Sequence, residues 1–426
     1  MRWILTLLLL VPLAATAESL EFGQAQKLAL FNNPSLRAAY GAIGQARGRL
    51  LQAGLWPNPE IDLAYRSDVF FGGDGQDRVS ASLMQRLPWS GRLGRAQAVS
   101  RVDVAVALTD VRDEERRIVQ EVQRAYLEAR SAAEKGESLA RLIKSLDALV
   151  ALNEARLKAG QASAITINLA RVEREGLRQR MAALASDEGA AVAELKGLLG
   201  RPPDVKLTLT SSLAEASASL RRSTASRRLY RPDLVRASLE ADAAAAEIAL
   251  ARAEAWEDIT VGVEYEFERT LEDNELMNEN FLGVRVAVPL PIWNRNQGRI
   301  AERAAAQERA RKTVVARQVA IGAEIDAARI RAIKAASVAD LIRRDALPLL
   351  EETRSVLENA IQTGQADTIE AITLTNQEIE QRTGQIEALT DEALALSAME
   401  AALGANPFLN RDIFINTLHE KTPKKR

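Results

Sequence analysis

The sequence contains no cysteine and only one histidine, His419, among its 426 residues. Disulfides and thiolate nucleophiles are therefore excluded, and no histidine is available inside the chain for acid–base catalysis. Since only five methionines are present, the ligands that build tight transition-metal sites are scarce. The sequence also lacks a phosphate-binding glycine loop and paired carboxylates on a recognisable pocket scaffold. We expect a protein that is not an enzyme and that holds neither a cofactor nor a resident metal.

Aromatic residues are scarce as well, at 4% of the chain. Large cores anchored by aromatic side chains are therefore not expected. Alanine is abundant, and alanine-rich helices with few bulky side chains pack their backbones closely, as in long helical bundles.

A long apolar run occurs only at the N-terminus. Met1-Arg2 is followed by an apolar segment from Trp3 to Leu13 and then by Ala15-Thr16-Ala17, which is the order of a secretory signal peptide. We predict a signal peptide at residues 1–17; a buried N-terminal helix is the alternative. From residue 18 onward no stretch approaches the ~20 uninterrupted apolar residues of a membrane helix, which excludes a helical inner-membrane protein.

The charges are nearly balanced, with 56 basic against 58 acidic residues. This balance gives no electrostatic reason to expect a nucleic-acid partner. The basic tail Lys421–Arg426 is terminal, and we interpret it as a solvated end.

The chain is an internal duplication. Landmarks of its first half recur in the same order about 200 residues later, which is typical of a repeated supersecondary assembly. The matched pairs are Asn33–Leu36 with Arg231–Leu234, Trp56 with Trp256, Leu87-Pro88 with Leu290-Pro291, Gly94-Arg95 with Gly298-Arg299, and Leu199-Gly200 with Leu403-Gly404. We predict repeats at 18–203 and 229–407, a linker with little core of its own at 204–228, and a tail at 408–426.

Each repeat predicts a helix, a β-hairpin, a very long helix and a shorter helix. The predicted helices cover 22–54, 94–158 and about 163–199 in the first repeat, and 232–256, 295–361 and 367–403 in the second. Pro34 opens the longer part of the first helix, and Pro348 kinks the second long helix. The fold class is mainly α with a small β part.

The hairpins are predicted from alternating polarity. The strands cover about 59–69 and 78–87, then about 258–268 and 280–290. One face of each strand is apolar and the other polar, and each strand is long enough to cross a bilayer when tilted. A half-buried soluble hairpin gives the same alternation. If the strands cross a membrane, the residues that line the water-filled side are Asp62, Arg66, Glu264, Glu266 and Arg285; alternatively, several of them lie on loops outside the membrane.

Four strands cannot close a barrel, and unpaired strand edges are costly in hydrocarbon. The chain must therefore associate. Three copies would supply twelve strands, enough for a closed barrel with a water-filled bore.

The order of elements, together with the segments Leu51–Glu60 and Pro289–Ile300, resembles the TolC family of outer-membrane efflux channels, and especially its CzcC-like branch of heavy-metal exporters. The resemblance covers almost the whole mature chain. It implies a homotrimer in the outer membrane: a 12-stranded β-barrel is continued into the periplasm by a long α-helical barrel. It also implies a periplasmic adaptor (membrane fusion protein) and an inner-membrane pump of the resistance-nodulation-division type.

The resemblance implies heavy-metal cations as cargo, with drugs or secreted protein as alternatives. A structural coiled-coil surface protein is the alternative from another class, although it should lack paired amphipathic hairpins.

The family also implies sites at the turns between long and short helices. The adaptor-docking tip would comprise Gly160, Gln161, Ala162, Ser163, Gly364, Gln365 and Ala366. A periplasmic gate would use Asp367 and Glu370, whose carboxylates would attract cations when three copies form a ring. Thr373 stands where the family often has a second acid, so this ring would be weaker. The alternative is simple helix capping at the turns.

Overall fold

A computed structural model describes residues 18–68, 73, 76–158, 163–225, 229–272, 275–363 and 368–404. The predicted signal peptide, Gly160–Ala162, Gly364–Asp367 and the predicted C-terminal tail lie outside the described residues.

The first repeat has the predicted order of elements. After a short strand it runs through two helices, a hairpin, a very long helix and a shorter helix. These elements are β1 (Glu18–Leu20), α1 (Phe22–Asn32), α2 (Pro34–Ala53), β2 (Glu60–Ser67), β3 (Asp77–Leu87), α3 (Arg92–Lys158) and α4 (Ala164–Leu198). Pro34 opens α2, as predicted, because proline at the first helical position loses no hydrogen bond.

The second repeat follows the same plan after a short connection. Its elements are β4 (Leu207–Leu209), α5 (Leu213–Ala225), α6 (Pro232–Ala253), β5 (Ile259–Glu272), β6 (Glu275–Ala287), α7 (Gln297–Leu341), a π-helical turn (Ile342–Ala346), α8 (Leu347–Thr363) and α9 (Thr368–Leu403). The mainly helical class and the two tandem repeats are confirmed.

The second hairpin is longer than predicted. The sequence indicated strands at about 258–268 and 280–290, whereas β5 and β6 remain paired as far as Glu272 and Glu275. The polar residues of this part obscure the alternation, but backbone pairing does not depend on apolar side chains.

The sequence predicted a kink at Pro348, and the structure has a π-helical turn just before this residue. Proline at position 348 has no N–H and its ring crowds the preceding turn. The N–H of Leu347 instead bonds the carbonyl of Ile342, five residues back, which is the π-helical pattern.

The chain divides into two compact units. We call them the helical unit (Met1–Ala38, Arg112–Arg231 and Ala320–Arg426) and the sheet unit (Ala39–Val111 and Pro232–Val319).

In the helical unit, Tyr126 of α3 holds strand β1 in place. Strands β1 and β4 pair in parallel, and the buried Tyr126 hydroxyl donates to Leu20 O at 3.0 Å and accepts from Ser211 N–H at 3.0 Å. Phe22 packs edge-on against the Tyr126 ring, with centroids 5.4 Å apart. One side chain therefore joins β1, α1 and the connection between the repeats.

The connection at 204–228 does have a core, contrary to the expectation from its sequence. Leu213 and Leu220 of α5 are almost fully buried, and Arg221 pairs with the buried Glu392 of α9. Alanines and serines in this segment allow a close approach between α5 and α9, so a polar composition concealed a packed helix.

The two repeats end in the same kind of joint. Asn33 Nδ2 donates to Leu198 O at the end of α4, at 2.9 Å, and Arg231 donates to Ala402 O at the end of α9, at 3.0 Å. Gly200 and Gly404 follow with φ of 62° and 74°. A Cβ at Gly200 would lie 2.6 Å from Asn32 O, so both the backbone angle and the close contact require glycine.

A chain of buried polar contacts joins α3 to α9. Gln123 donates to Glu400 at 2.8 Å and accepts from Ser397 at 2.6 Å, and farther along Thr390 bonds Ser131 at 2.8 Å. Because these polar groups are satisfied within the unit, they fix the register between the two helices.

The sheet unit contains a four-stranded antiparallel sheet in the order β2-β3-β5-β6. The two hairpins meet where β3 pairs with β5, from Leu87 opposite Ile259 to Asp77 opposite Arg269. Strands β2 and β6 are the outer strands of this sheet.

Candidate functional site

The sheet register places all five predicted lumen residues on one face. Asp62 lies opposite Ser82, which lies opposite Glu264, and Arg66 lies four residues from Asp62 on the same side. Glu266 and Arg285 share that side, through Ser80 and Gly262 respectively. Directly paired residues of an antiparallel sheet point the same way, so the register defines one continuous charged face.

Ion pairs cross the strands of this charged face. Arg78 of β3 pairs with Glu266 at 2.8 Å and also with Glu268, both on β5. Arg285 of β6 lies 3.5 Å from Glu264. Acidic side chains outnumber basic ones on β5, where three glutamates follow one another at alternate positions. A water-filled space in front of this face would therefore be polar and locally acidic.

The opposite face of the sheet is apolar and exposed. Leu63 pairs with Ala81, Leu83 with Val263, and Val263 with Val284. Ile61, Leu63, Val284 and Leu282 expose between 73% and 82% of their surface. An exposed apolar surface of this extent, on one side of a sheet with a charged other side, is typical of a strand layer that faces lipid.

All four tryptophans of the described residues flank the strands at one end of the sheet. Trp56 precedes β2, Trp89 follows β3, Trp256 precedes β5 and Trp293 follows β6. Because neighbouring strands are antiparallel, these four strand termini lie at the same end of the sheet. Tryptophan is enriched where a protein crosses between lipid and water. The sequence analysis matched Trp56 to Trp256 but did not predict this row of four tryptophans. The row could have been predicted, because a tryptophan lies within a few residues of every predicted strand.

Side-chain contacts at this end of the sheet connect the two hairpins. Arg92 donates to both carboxylate oxygens of Asp258, at 2.7 and 2.5 Å. These hydrogen bonds lower the pKa of Asp258, burial opposes them, and the positive charge of Arg92 lowers the pKa further. Trp89 donates to Glu257 O at 3.0 Å and stacks edge-on against Trp256 at 5.5 Å.

The tip residues are only partly within the described chain. Ser163 caps α4, since its hydroxyl accepts from Ile165 N–H at 3.1 Å, so helix capping holds at this position. Glu370 lies exposed in the first turn of α9, and Thr373 bonds Ile369 O at 2.8 Å. Gly160, Gln161, Ala162, Gly364, Gln365, Ala366 and Asp367 lie outside the described residues.

Next to the tip, α8 is held to its neighbours by an arginine cluster. Arg354 of α8 lies 3.3 Å from Glu378 of α9 and 3.4 Å from the hydroxyl of Ser145 of α3. Arg382 bonds the same Glu378 at 2.7 Å. These contacts connect three helices of the helical unit close to the predicted gate.

No helix among the described residues is both long and apolar enough to cross a membrane. Within the same residues, no group of three or more His, Cys, Asp or Glu side chains is placed to hold a metal ion.

Residues 26–201 match the family model described as outer membrane efflux protein. No curated protein sequence matches. Among solved structures, CusC is similar with a TM-score of 0.72 and 17% identity, covering 90% of this chain and 92% of that chain. The open state of the Neisseria gonorrhoeae MtrE outer membrane channel has a TM-score of 0.71, 16% identity and coverage of 90% and 89%. VceC of Vibrio cholerae has a TM-score of 0.68, 18% identity and coverage of 90% and 96%.

The sequence of residues 26–201 is that of outer membrane efflux proteins, a class of channels and not of enzymes, and the described chain has a fold similar to that of solved outer membrane channels. Residues 26–201 thus match the outer membrane efflux protein family by sequence, and the described chain as a whole has the fold of the channels CusC, MtrE and VceC. These findings agree with the expected TolC-like family, whereas its CzcC-like branch stays a prediction.

Proposed function

We propose that three copies of this chain form the exit duct of a tripartite efflux system. The observation that carries the proposal is the sheet of four strands with one apolar face, one charged face and two unpaired outer strands. In lipid, unpaired strand edges cost several kcal/mol for each buried backbone group. Identical neighbours are the simplest source of the missing strands, and three copies supply twelve.

In this assembly the charged face lines the bore and the apolar face meets lipid. Asp62, Arg66, Glu264, Glu266 and Arg285 would then stand in water along the cargo path. The glutamates of β5, present once in each copy, would form rings that favour cations over anions.

The partners are a periplasmic adaptor and an inner-membrane pump of the resistance-nodulation-division type. We place the adaptor contact at Gly160–Ser163 and Gly364–Ala366, and the gate at Asp367 and Glu370. The support is the place of these residues in the sequence, where α3 gives way to α4 and α8 to α9, together with the arginine cluster that holds α8 to α9.

The cargo in this proposal is a heavy-metal cation, as the resemblance of Leu51–Glu60 and Pro289–Ile300 to the CzcC-like branch implies. The scarcity of metal ligands agrees with this role, since a duct should pass its cargo without holding it. Drugs and secreted proteins are the alternative cargoes within the same class.

Deletion of the gene in its native host tests the cargo. We expect the deletion strain to become sensitive to one or more of zinc, cobalt, nickel, cadmium and copper, with tolerance restored by the intact chain. Unchanged tolerance to all five metals, combined with new sensitivity to organic toxicants or loss of a secreted protein, would overturn the metal assignment.

A further inference from the structure

A groove of about 380 Å³ lies on the helical unit between α5, α7 and α9. Most of its lining is apolar, and Ile333 of α7 and Leu396 and Met399 of α9 contribute to it. Ile333 exposes 62% of its surface, although the other two apolar side chains line the same groove. Apolar side chains that line an open groove in this way indicate a surface on which another segment packs.

One carboxylate in this groove is buried and only half satisfied. The side chain of Glu392 is 1% exposed, and Arg221 of α5 pairs with its Oε1. Its Oε2 has no hydrogen-bond partner among the described residues, although Arg329 of α7 also lines the groove. A buried carboxylate oxygen without a donor is unfavourable. The groove therefore suits an occupant that brings an apolar side chain and a cationic N–H donor.

The chain leaves α9 next to this groove. Helix α9 ends at Leu403, and Gly404 follows with a φ of 74°. Residues 405–426 lie outside the described residues, and their sequence places Leu409 and Arg411 a few residues after the glycine. A leucine and an arginine supply the apolar and the cationic group that the groove lacks.

The first repeat shows how the chain continues after such a glycine. Beyond Gly200 it folds back beside α4, since the N–H of Arg201 bonds Lys196 O at 2.9 Å and Lys196 Nζ donates to Pro203 O at 2.8 Å. Pro407 follows its own glycine at the same distance in the sequence as Pro203. The duplication therefore indicates the same reversal after α9.

We propose that the segment 405–413, which we call the fold-back segment, runs back along α9 and occupies the groove. Leu409 packs against Leu396 of α9. Arg411 donates to Oε2 of Glu392, the atom that Arg221 leaves without a donor. This arrangement lies within one chain and does not depend on the proposed efflux function.

The spacing of the two contacts fits an extended segment antiparallel to the helix. Leu396 and Glu392 are one turn apart on α9, about 6 Å at 1.5 Å per residue. Leu409 and Arg411, two residues apart in an extended chain, are separated by about 6.6 Å and point the same way.

The length of chain is also sufficient. Glu392 lies about 18 Å from Gly404 along the helix axis, at 1.5 Å per residue. The seven residues from Gly404 to Arg411 span about 23 Å when extended. The excess of about 5 Å leaves room for the reversal of the chain.

Thiol reactivity tests whether the fold-back segment covers the groove, and the background is clean because the chain has no cysteine. The probe is a maleimide applied to Ile333→Cys in isolated outer membranes. We expect labelling to be about tenfold slower with the native segment than in the background Leu409→Ser/Arg411→Ser, because the thiol reacts only while the segment is out of the groove.

The matched control is Ile330→Cys, one helical turn away on α7. Ile330 is 58% exposed, close to the exposure of Ile333, and lies outside the groove lining. Its labelling rate should be the same in both backgrounds. An unchanged rate at residue 333 would overturn the proposal, whether the groove is then open, covered by a second copy or filled by a small amphipathic cation.

Limited proteolysis tests the contact between Arg411 and Glu392. Trypsin cleaves after Arg411 and after Lys421, and a docked fold-back segment protects only the first of these bonds. We expect Glu392→Gln to accelerate cleavage after Arg411 about tenfold and to leave cleavage after Lys421 unchanged, as measured by mass spectrometry of the released peptides. Glu387→Gln, at an exposed glutamate of α9, is the control and should behave as wild type. Equal rates of cleavage after Arg411 in wild type and Glu392→Gln would overturn the assigned contact.

Discussion

At the scale of single residues, Tyr126 shows how a scarce aromatic side chain is used. It is fully buried, and its hydroxyl bonds both Leu20 of β1 and Ser211, which lies two residues before α5. Burial raises the pKa of Tyr126, against the lowering effect of its hydrogen bonds to Ser211. The phenol therefore stays protonated at neutral pH and remains able to donate to Leu20 O.

We expect Tyr126→Phe to loosen the β1–β4 ladder by about 1–3 kcal/mol, because Ser211 N–H loses its acceptor in a buried place. Hydrogen exchange followed by mass spectrometry should show faster exchange in peptides covering residues 18–22 and 206–212. Tyr65→Phe, at an exposed side chain of the sheet, is the control and should leave these peptides unchanged. Equal protection in both variants would show that the hydroxyl does not stabilise the ladder.

The pair of Arg92 and Asp258 leads to a prediction about pH. Because the pKa of Asp258 is lowered in the folded protein, the pair stabilises the fold above the ordinary carboxyl pKa. That stabilisation is lost as the pH falls through the lowered value. We expect Asp258→Asn to reduce stability by about 1 kcal/mol at pH 7, a modest effect because the pair is partly exposed.

Thermal unfolding of the detergent-solubilised protein, measured from pH 7 down to pH 3, checks this prediction. The difference between wild type and Asp258→Asn should shrink as the pH decreases. The double variant Arg92→Gln/Asp258→Asn should be no less stable than the single variant, since both partners are then neutral. A difference that does not change with pH would contradict the assignment.

At the scale of elements, the hairpins were the most informative part of the sequence. Period-two alternation predicted their four strands and the face on which Asp62 and Glu264 lie, because that period follows from strand geometry alone. Their true length was not predictable, since polar residues near Glu272 and Glu275 pair through backbone atoms that the alternation does not report.

We expect Val263→Arg to prevent insertion into the outer membrane. Val263 lies on the apolar face between Leu83 and Val284, and a cation there would cost about 2–4 kcal/mol at the middle of the bilayer. The measurement is the amount of protein in the outer-membrane fraction.

The control is Ser82→Arg, which puts the same cation on the charged face between Asp62 and Glu264. This variant should insert normally. Normal insertion of Val263→Arg would show that the face assigned to lipid is wrong.

The connection between the repeats shows where element prediction failed. Its serines, threonines and alanines indicated a surface linker, yet α5 buries Leu213 and Leu220. Composition cannot reveal this packing, because small side chains allow close helix contact only where another helix, here α9, lies beside them.

For the whole molecule, the proposed association rests on the outer strands β2 and β6, each of which pairs on one side only in the described sheet. We expect protein extracted from the outer membrane into mild detergent to have the mass of three chains, after subtraction of the detergent. Light scattering coupled to gel filtration measures this mass. A species with the mass of a single chain, still folded by circular dichroism, would contradict the assembly.

The duplication, the order of helices and hairpins, and the two faces of each strand could be predicted from the sequence. These features follow from repetition, periodicity and the local effects of proline, which need no knowledge of distant contacts. The folded structure was needed to show that β3 pairs with β5, that four tryptophans lie at the same end of the sheet, and that α5 packs on α9. Each of these depends on side chains far apart in the sequence, whose contacts local pattern does not encode.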